Sequence, residues 1–271
     1  MPEPSSAVLI GVGAATGLVG SMLGLGGGVF LVPLLTLMLG VPIRAAIAAS
    51  LISVIASASA SSTVNLDKGL VNLRLGMVLE VVTALGGRGG ALVAAHLSQR
   101  QLFMLFGATL AAMGILMMLR SGKRNLIPDT SVDPGLLGGR LREDGVEYIY
   151  RVKRLPVGFA ASAVAGAISG LLGLGGGIVK VPVLNTFCGI PIRIAAATSA
   201  FMIGVTAASS VFIYYSRGYI DLRLAAAVAL GALPASLIGA RLSHSVEARA
   251  LKVLMALVLL AVGGRMAWEA L

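Results

Sequence analysis

The chain has 271 residues, of which 57% are hydrophobic and 12% are charged, and its formal net charge is +10. An ordinary soluble domain carries about 25% charged residues. This composition therefore excludes a soluble globular protein, because the chain has too few polar residues to cover its surface. The basic excess does not indicate nucleic-acid binding, because basic residues of membrane proteins collect in their cytoplasmic loops.

The apolar residues fall in long runs that polar stretches separate, which predicts membrane-spanning helices. Several runs reach the ~20 residues that cross a bilayer as a helix. In chain order the runs are Val8–Leu23, Ile43–Val64, Leu75–Leu97, Leu102–Leu119, Leu155–Leu172, Ile194–Tyr214, Leu224–Leu242 and Leu251–Trp268. The sequence therefore predicts an all-α, multi-pass membrane protein embedded in the lipid bilayer.

The largest polar interval lies in the middle of the chain and is rich in basic residues. Within it and at its borders stand Arg120, Lys123, Arg124, Arg140, Arg142, Arg151, Lys153 and Arg154. Positive loops stay on the cytoplasmic side of a membrane, so we predict a charged cytoplasmic loop over residues 121–154.

Two halves of the chain repeat the same features at an offset of 149 residues, the distance from Gly24 to Gly173. Such self-similarity at a fixed offset indicates an internal repeat. The matched pairs are Gly24-Leu25-Gly26-Gly27-Gly28 with Gly173-Leu174-Gly175-Gly176-Gly177, Pro33 with Pro182, Gly40–Arg44 with Gly189–Arg193, and Ser50 with Ser199. We predict two homologous transmembrane repeats, 1–120 and 155–271.

In each repeat a helix ends at the glycine cluster and a short apolar piece follows, Val29–Leu39 in the first and Ile178–Cys188 in the second. If the short piece crosses the membrane, each repeat has five segments and the two are inverted. If it dips and returns, each has four and they run parallel. Loop charges do not separate these alternatives, but the N-terminus lacks basic residues and suits the outside, which favours five segments and inversion.

Glycine clusters that interrupt helices at matching positions of two repeats point to a transporter's binding site. The amides of Gly26, Gly27 and Gly28 and of Gly175, Gly176 and Gly177 precede a helix, whose N-terminus suits an anion. The alternative is tight helix packing through small residues.

Single charges and hydroxyls complete the candidate site. Lys180 lies in an apolar segment, where a lysine marks a functional site unless it reaches the membrane surface. The other candidate anion ligands, each with a border or packing alternative, are Arg44, Arg193, Ser50, Thr198 and Ser199. Glu80, within an apolar run, is the proton-coupling candidate, and its alternatives are a salt bridge with an arginine or a place at the membrane edge.

The remaining chemistry-bearing residues do not indicate an enzyme. The single cysteine, Cys188, excludes an intramolecular disulfide and a cysteine-based metal cluster. No spacing of ligands suits a metal, and no nucleophile accompanies a base. We therefore predict no metal, no cofactor and no catalysis.

The doubled Gly-Leu-Gly-Gly-Gly-x-x-x-x-Pro, the Gly-x-Pro-Ile-Arg turns and "AAATSAF" at Ala195–Phe201 resemble the TauE/SafE family of membrane transporters. The first repeat departs slightly, with "IAASLI" at Ile47–Ile52. The resemblance implies movement of a small sulfur-containing anion, such as sulfite or the organosulfonate sulfoacetate, across the bacterial inner membrane. The alternatives are another small anion such as a carboxylate, or a non-transporting membrane subunit. Small-residue helix faces are compatible with a homodimer.

Overall fold

The computed structural model describes residues 4–22, 24, 26–119, 133–143, 146–242, 260–266 and 268–269. Its first half contains α1 (Ser6–Met22), the short α2 (Gly28–Pro33), which continues as a π-helical turn (Leu34–Met38), α3 (Ile43–Asp67), α4 (Leu73–His96) and α5 (Gln99–Leu119). The second contains α6 (Leu155–Leu172), the short α7 (Gly177–Thr186), α8 (Ile192–Ser216) and α9 (Leu222–Leu242). The all-α prediction is confirmed, and the last predicted run, Leu251–Trp268, falls largely outside the described residues.

By length and composition, five of the described helices can cross a membrane: α3, α4, α6, α8 and α9. The Ala- and Ser-rich α3 and α8 form the centre, and α3 is the most deeply buried of the five. Small side chains let neighbouring backbones approach closely where apolar burial cannot drive association.

Both helix breaks depend on glycine backbone geometry. Gly27 and Gly176, which precede α2 and α7, have φ of 76° and 71°. This left-handed region carries a steric penalty for residues with a Cβ. After the break the chain returns to the side of α1. This close approach is shown at Gly27, where a Cβ would lie 2.8 Å from the Thr16 carbonyl oxygen.

The long helices associate between the halves, and α1 and α9 run in the same direction. The residue numbers of facing residues increase along both helices: Gly13 faces Val228, Gly17 faces Ala232, and Leu18 faces Gly239. Helices α4 and α6 are parallel by the same criterion, with the pairs Thr83 and Gly166, Ala167 and Gly90, and Ala91 and Gly170. Helices α4 and α8 are parallel as well, with Gly76 against Thr198 and Ala84 against Ser209.

These directions bear on how the two halves are related. Five residues separate α3 from α4 and α8 from α9, which is too few to cross a bilayer even when extended. Each pair therefore reverses direction. It follows that α1 runs opposite to α6, its equivalent in the second half, and that α3 runs opposite to α8. The registers support the inverted, five-segment arrangement that the sequence favours.

A β-hairpin lies between the halves, within the interval predicted only as a charged loop. Strands β1 (Gly139–Glu143) and β2 (Val146–Tyr150) pair antiparallel. The sequence carries a signal for it, since Asp144-Gly145 stands between two segments of alternating side chains, a strong indicator of a hairpin. Leu141, Ile149 and Tyr150 are buried, so the hairpin packs on the helices.

Candidate functional site

The two helix breaks touch each other at the centre of the bundle. A Cβ built at Gly28 would collide with the Gly173 carbonyl oxygen, and one built at Gly177 would lie 2.9 Å from the Gly24 carbonyl oxygen. Val54 and Ile203 both pack on Gly26, and they are equivalent under the offset of 149. The breaks therefore meet where α3 and α8 pass each other, and in this conformation their glycines allow close backbone packing.

The predicted serines lie beside this junction and differ in their bonding. Ser50 donates a hydrogen bond to the Gly173 carbonyl oxygen at 2.9 Å. Its equivalent, Ser199, is fully buried, and its Oγ has no hydrogen-bond partner among the described residues. An unsatisfied buried hydroxyl costs free energy, so Ser199 has bonding capacity to offer beside the second break.

The two membrane-embedded charges that the sequence singled out meet each other. Lys180 on α7 is 1% exposed and Glu80 on α4 is 6% exposed. The Lys180 Nζ lies 3.7 Å from Glu80 Oε2. Lys180 therefore does not extend to the membrane surface, and Glu80 pairs with a lysine rather than with an arginine.

Thr206 on α8 connects the two charges. Its hydroxyl lies 2.7 Å from Glu80 Oε1, to which it donates, and it accepts from Lys180 Nζ at 3.5 Å. We call Lys180, Glu80 and Thr206 the charged cluster. The sequence predicted neither the pairing nor the part of Thr206, although Thr206 lies two helical turns beyond Ser199 on α8.

The charged cluster is incompletely satisfied. At 3.7 Å the ammonium is too far from Glu80 Oε2 for a hydrogen bond, and that oxygen has no hydrogen-bond partner among the described residues. A lysine ammonium carries three donors, and its contact with Thr206 is long. A small oxyanion would bring acceptors for those donors.

The charged cluster has an apolar counterpart at the positions 149 residues away. Leu31 occupies the position equivalent to Lys180, Ala229 the one equivalent to Glu80, and Ser57 the one equivalent to Thr206. Leu31 and Ser57 are buried, and the Ser57 Oγ has no partner among the described residues. The duplication therefore provides equivalent positions, but it places charge at only one set of them.

The structure does not bring the predicted arginines to the breaks. Arg44 and Arg193 begin α3 and α8, which run in opposite directions, so they lie at opposite ends of the bundle. Arg44 donates to the Leu97 carbonyl oxygen at 2.7 Å and lies 5.2 Å from the ring centre of Tyr219. It lines a cavity of about 390 Å³ together with Gln99, Tyr219 and Asp221. Arg193 is exposed.

Thr198 precedes Ser199 on α8, and its side chain contacts the start of α4. Its Oγ1 accepts a hydrogen bond from the backbone amide of Asn72 at 2.9 Å. Asn72 and Tyr150 were not predicted as functional residues, and nothing in the residues on either side of them signals their contact.

The profile of the sulfite exporter TauE/SafE family matches residues 9–266. The chain belongs to the TauE/SafE family. The match confirms the resemblance drawn from the doubled glycine motif, and it covers both repeats and the interval between them.

Curated relatives match the TauE/SafE chain over nearly its whole length. It is 26% identical over 272 residues to "Probable membrane transporter protein YunE" of Bacillus subtilis, covering 98% of both chains. It is 27% identical over 273 residues to a "Probable membrane transporter protein" of Xylella fastidiosa, covering 99% of this chain and 97% of the relative. No solved structure matches. The protein is thus a multi-pass membrane transporter of the TauE/SafE family.

Proposed function

We propose that this transporter moves a small sulfur-containing anion, sulfite or an organosulfonate such as sulfoacetate, across the bacterial inner membrane. The observation that carries the proposal is the buried ammonium of Lys180 on the helix that follows the second break. Its one hydrogen bond among the described residues is the long contact with Thr206, so it can donate to a bound anion. The name of the family supports a sulfur oxyanion. The segment 121–154 is proposed to face the cytoplasm, in keeping with its basic residues.

The substrate is proposed to bind between the halves, with Lys180 as its main charged ligand. The amides of Gly177 and its neighbours begin α7, the helix that carries this lysine, and the unsatisfied hydroxyl of Ser199 lies beside Gly177. The Gly26–Gly28 amides of the first break complete the proposed site when the two breaks separate. Rocking of one half against the other would then expose the site to each side in turn.

Glu80 is proposed to couple transport to protons through charge balance. Glu80 balances the charge of Lys180, with which it pairs. An anion that takes the place of Glu80 at the ammonium leaves an excess of negative charge in a buried site, which is strongly unfavourable. A proton on Glu80 removes one unit of that excess, so we expect one proton to move with each substrate anion.

Flux measurements on the purified protein in liposomes test the proposal. Radiolabelled sulfite and sulfoacetate should show saturable flux, sulfonates should compete better than carboxylates, and Lys180→Ala should abolish binding. Flux from the purified protein alone would exclude a non-transporting subunit. If no sulfur anion shows saturable flux, the proposed substrate class is wrong.

The coupling is tested by Glu80→Gln, which keeps the shape of the side chain and cannot release a proton. Exchange of labelled for unlabelled anion should persist, whereas a pH gradient should no longer drive accumulation. Glu147→Gln, an exposed carboxylate in the hairpin, is the matched control and should accumulate anion as the unmodified protein does. Accumulation by Glu80→Gln would assign the coupling to another group.

A further inference from the structure

The hairpin, formed by β1 and β2, is packed into the end of the bundle where α4 and α8 begin. Leu141 and Tyr150 share one apolar cluster with Leu75 and Leu79 of α4 and with Val181 of α7. Tyr150 is 3% exposed and Ile149 is fully buried. A strand pair that buries its apolar side chains in this way is seated on the helices and does not lie loosely in solvent.

Asn72 fastens the hairpin to α4. Its Oδ1 accepts from the Leu75 amide and so caps the helix. Its side-chain nitrogen donates to the Leu137 carbonyl oxygen at 2.8 Å and to the Tyr150 hydroxyl at 3.0 Å. Burial raises the pKa of Tyr150, so its hydroxyl stays neutral as the acceptor of this bond.

The hairpin is held about two helical turns from the charged cluster along α4. Asn72 precedes Glu80 by eight residues of α4, a distance of about 12 Å along the helix axis. Val181, which belongs to the same apolar cluster as Leu141 and Tyr150, is the direct neighbour of Lys180 in the chain. Water or a solute that reached the charged cluster between α4, α7 and α8 from this end would have to pass where the hairpin sits.

The equivalent place at the other end of the bundle has a different cap. There Asp221 caps α9 by accepting from the Leu224 amide at 3.0 Å, as Asn72 caps α4. A carboxylate has no N–H to donate, so it could not hold a segment as Asn72 holds the hairpin. The residues around Asp221 line the cavity of about 390 Å³.

We propose that the hairpin is a plug which closes the end of the bundle at α4 and α8, and which must leave its seat before the charged cluster can exchange with solvent from that end. The proposal builds on the proposed role of Lys180 and Glu80. Its test uses no substrate, so the two can fail separately.

The native Cys188 is the reporter, since it is the chain's single cysteine. It is 1% exposed, it packs in the same cluster as Leu141 and Tyr150, and its carbonyl oxygen accepts from the Lys153 amide that follows the hairpin. A buried thiol reacts through the opened form, so its labelling rate follows the open population. The rate of reaction with a water-soluble maleimide is measured on the full chain in liposomes.

Two variants should open the plug while keeping the helices intact. Asn72→Asp retains the cap but loses the donors to Leu137 and Tyr150, and Tyr150→Phe loses the hydroxyl alone. Tyr150→Phe should raise the labelling rate about fivefold, the population change that the net loss of one hydrogen bond produces, and Asn72→Asp, which loses both donated bonds, should raise it at least as much. Asp221→Asn at the other end and Tyr148→Phe on the same strand are the matched controls and should label at the unmodified rate.

Thermal unfolding and gel filtration show which variants are folded. Faster labelling in folded Asn72→Asp and Tyr150→Phe, with unchanged controls, supports the plug. Three results overturn it: rapid labelling of the unmodified protein, unmodified rates in both hairpin variants, or an equal acceleration in Asp221→Asn.

Discussion

At the centre of the molecule, Lys180 and Thr206 of the second half meet Glu80 of the first, whereas the equivalent positions hold Leu31, Ser57 and Ala229. The backbone around these positions is matched closely. Gly28 packs on Gly173 and Ser50, and Gly177 packs on Gly24 and Ser199, which are the same contacts displaced by 149 residues.

The two halves share the residues that pack the helix breaks and differ in the residues that carry charge. Glycines and small residues occur in both halves, because both breaks must approach another backbone closely. Among the described residues, buried charges occupy one set of the equivalent positions, where Lys180 and Glu80 pair and so lower the cost of burying a charge in the membrane.

The largest effect is expected when Lys180 and Glu80 are replaced by the residue types at the equivalent positions, leucine and alanine. Lys180→Leu or Glu80→Ala alone should cost about 3–5 kcal/mol of stability, because each leaves a buried charge unpaired. The double variant removes both charges and should recover most of that loss. The two variants that lack Lys180 should lack flux, and Glu80→Ala should lack pH-driven accumulation. Thermal unfolding and liposome flux measure the two properties.

Lys153→Leu is the control for the loss of a lysine, since Lys153 is exposed, and it should change stability by less than about 0.5 kcal/mol. Additive losses in the double variant would contradict the pairing of Lys180 with Glu80. Retained flux in the double variant would contradict the role of the charges.

A smaller effect is expected where the two breaks differ in packing. Alanine at Gly28 meets the Gly173 carbonyl oxygen and Ser50, with Val54 at 3.0 Å, and a backbone atom there cannot move aside. Alanine at Gly177 meets the flexible Cδ1 of Ile203 at 2.7 Å and the Gly24 carbonyl oxygen at 2.9 Å, so its backbone contact is less severe than the one at Gly28. Overpacking costs about 1–3 kcal/mol, so we expect about 3 kcal/mol for Gly28→Ala and about 1 kcal/mol for Gly177→Ala.

Unfolding temperatures of the two alanine variants give the comparison. Gly89→Ala, where a Cβ meets nothing within 4 Å, shows the effect of alanine at an open helix position. Equal losses at Gly28 and Gly177 would show that the two breaks are packed alike, against the contacts described above.

The individual charges of the site could be predicted from sequence, but their meeting could not. Lys180 and Glu80 are conspicuous because each is a charge within an apolar run. They lie 100 residues apart in different halves, and only the direction of each helix decides whether they face one another. Loop charges did not determine that direction, so the pairing depended on the fold.

The helices and the paired breaks were predictable for a different reason. Long apolar runs and glycine clusters are local signals, and a membrane forces the runs into helices. The hairpin also has a local signal, Asp144-Gly145 between alternating segments, which the many charges around it obscured. Its seat against Asn72 is a contact between distant parts of the chain, for which one sequence carries no signal.

The smallest difference between equivalent positions is expected for the hydroxyls of α3 and α8. Thr206→Val removes the hydroxyl that donates to Glu80 at 2.7 Å, and a hydrogen bond to a charged group contributes about 1.5 kcal/mol or more. Ser57→Ala removes a buried hydroxyl without a partner among the described residues, so it should change stability by less than about 0.5 kcal/mol or stabilise the protein. Thermal unfolding of the two variants side by side measures the difference. A loss for Ser57→Ala as large as that for Thr206→Val would mean that the counterpart position also binds a polar group, and the approximate symmetry would then extend from the scaffold to the chemistry.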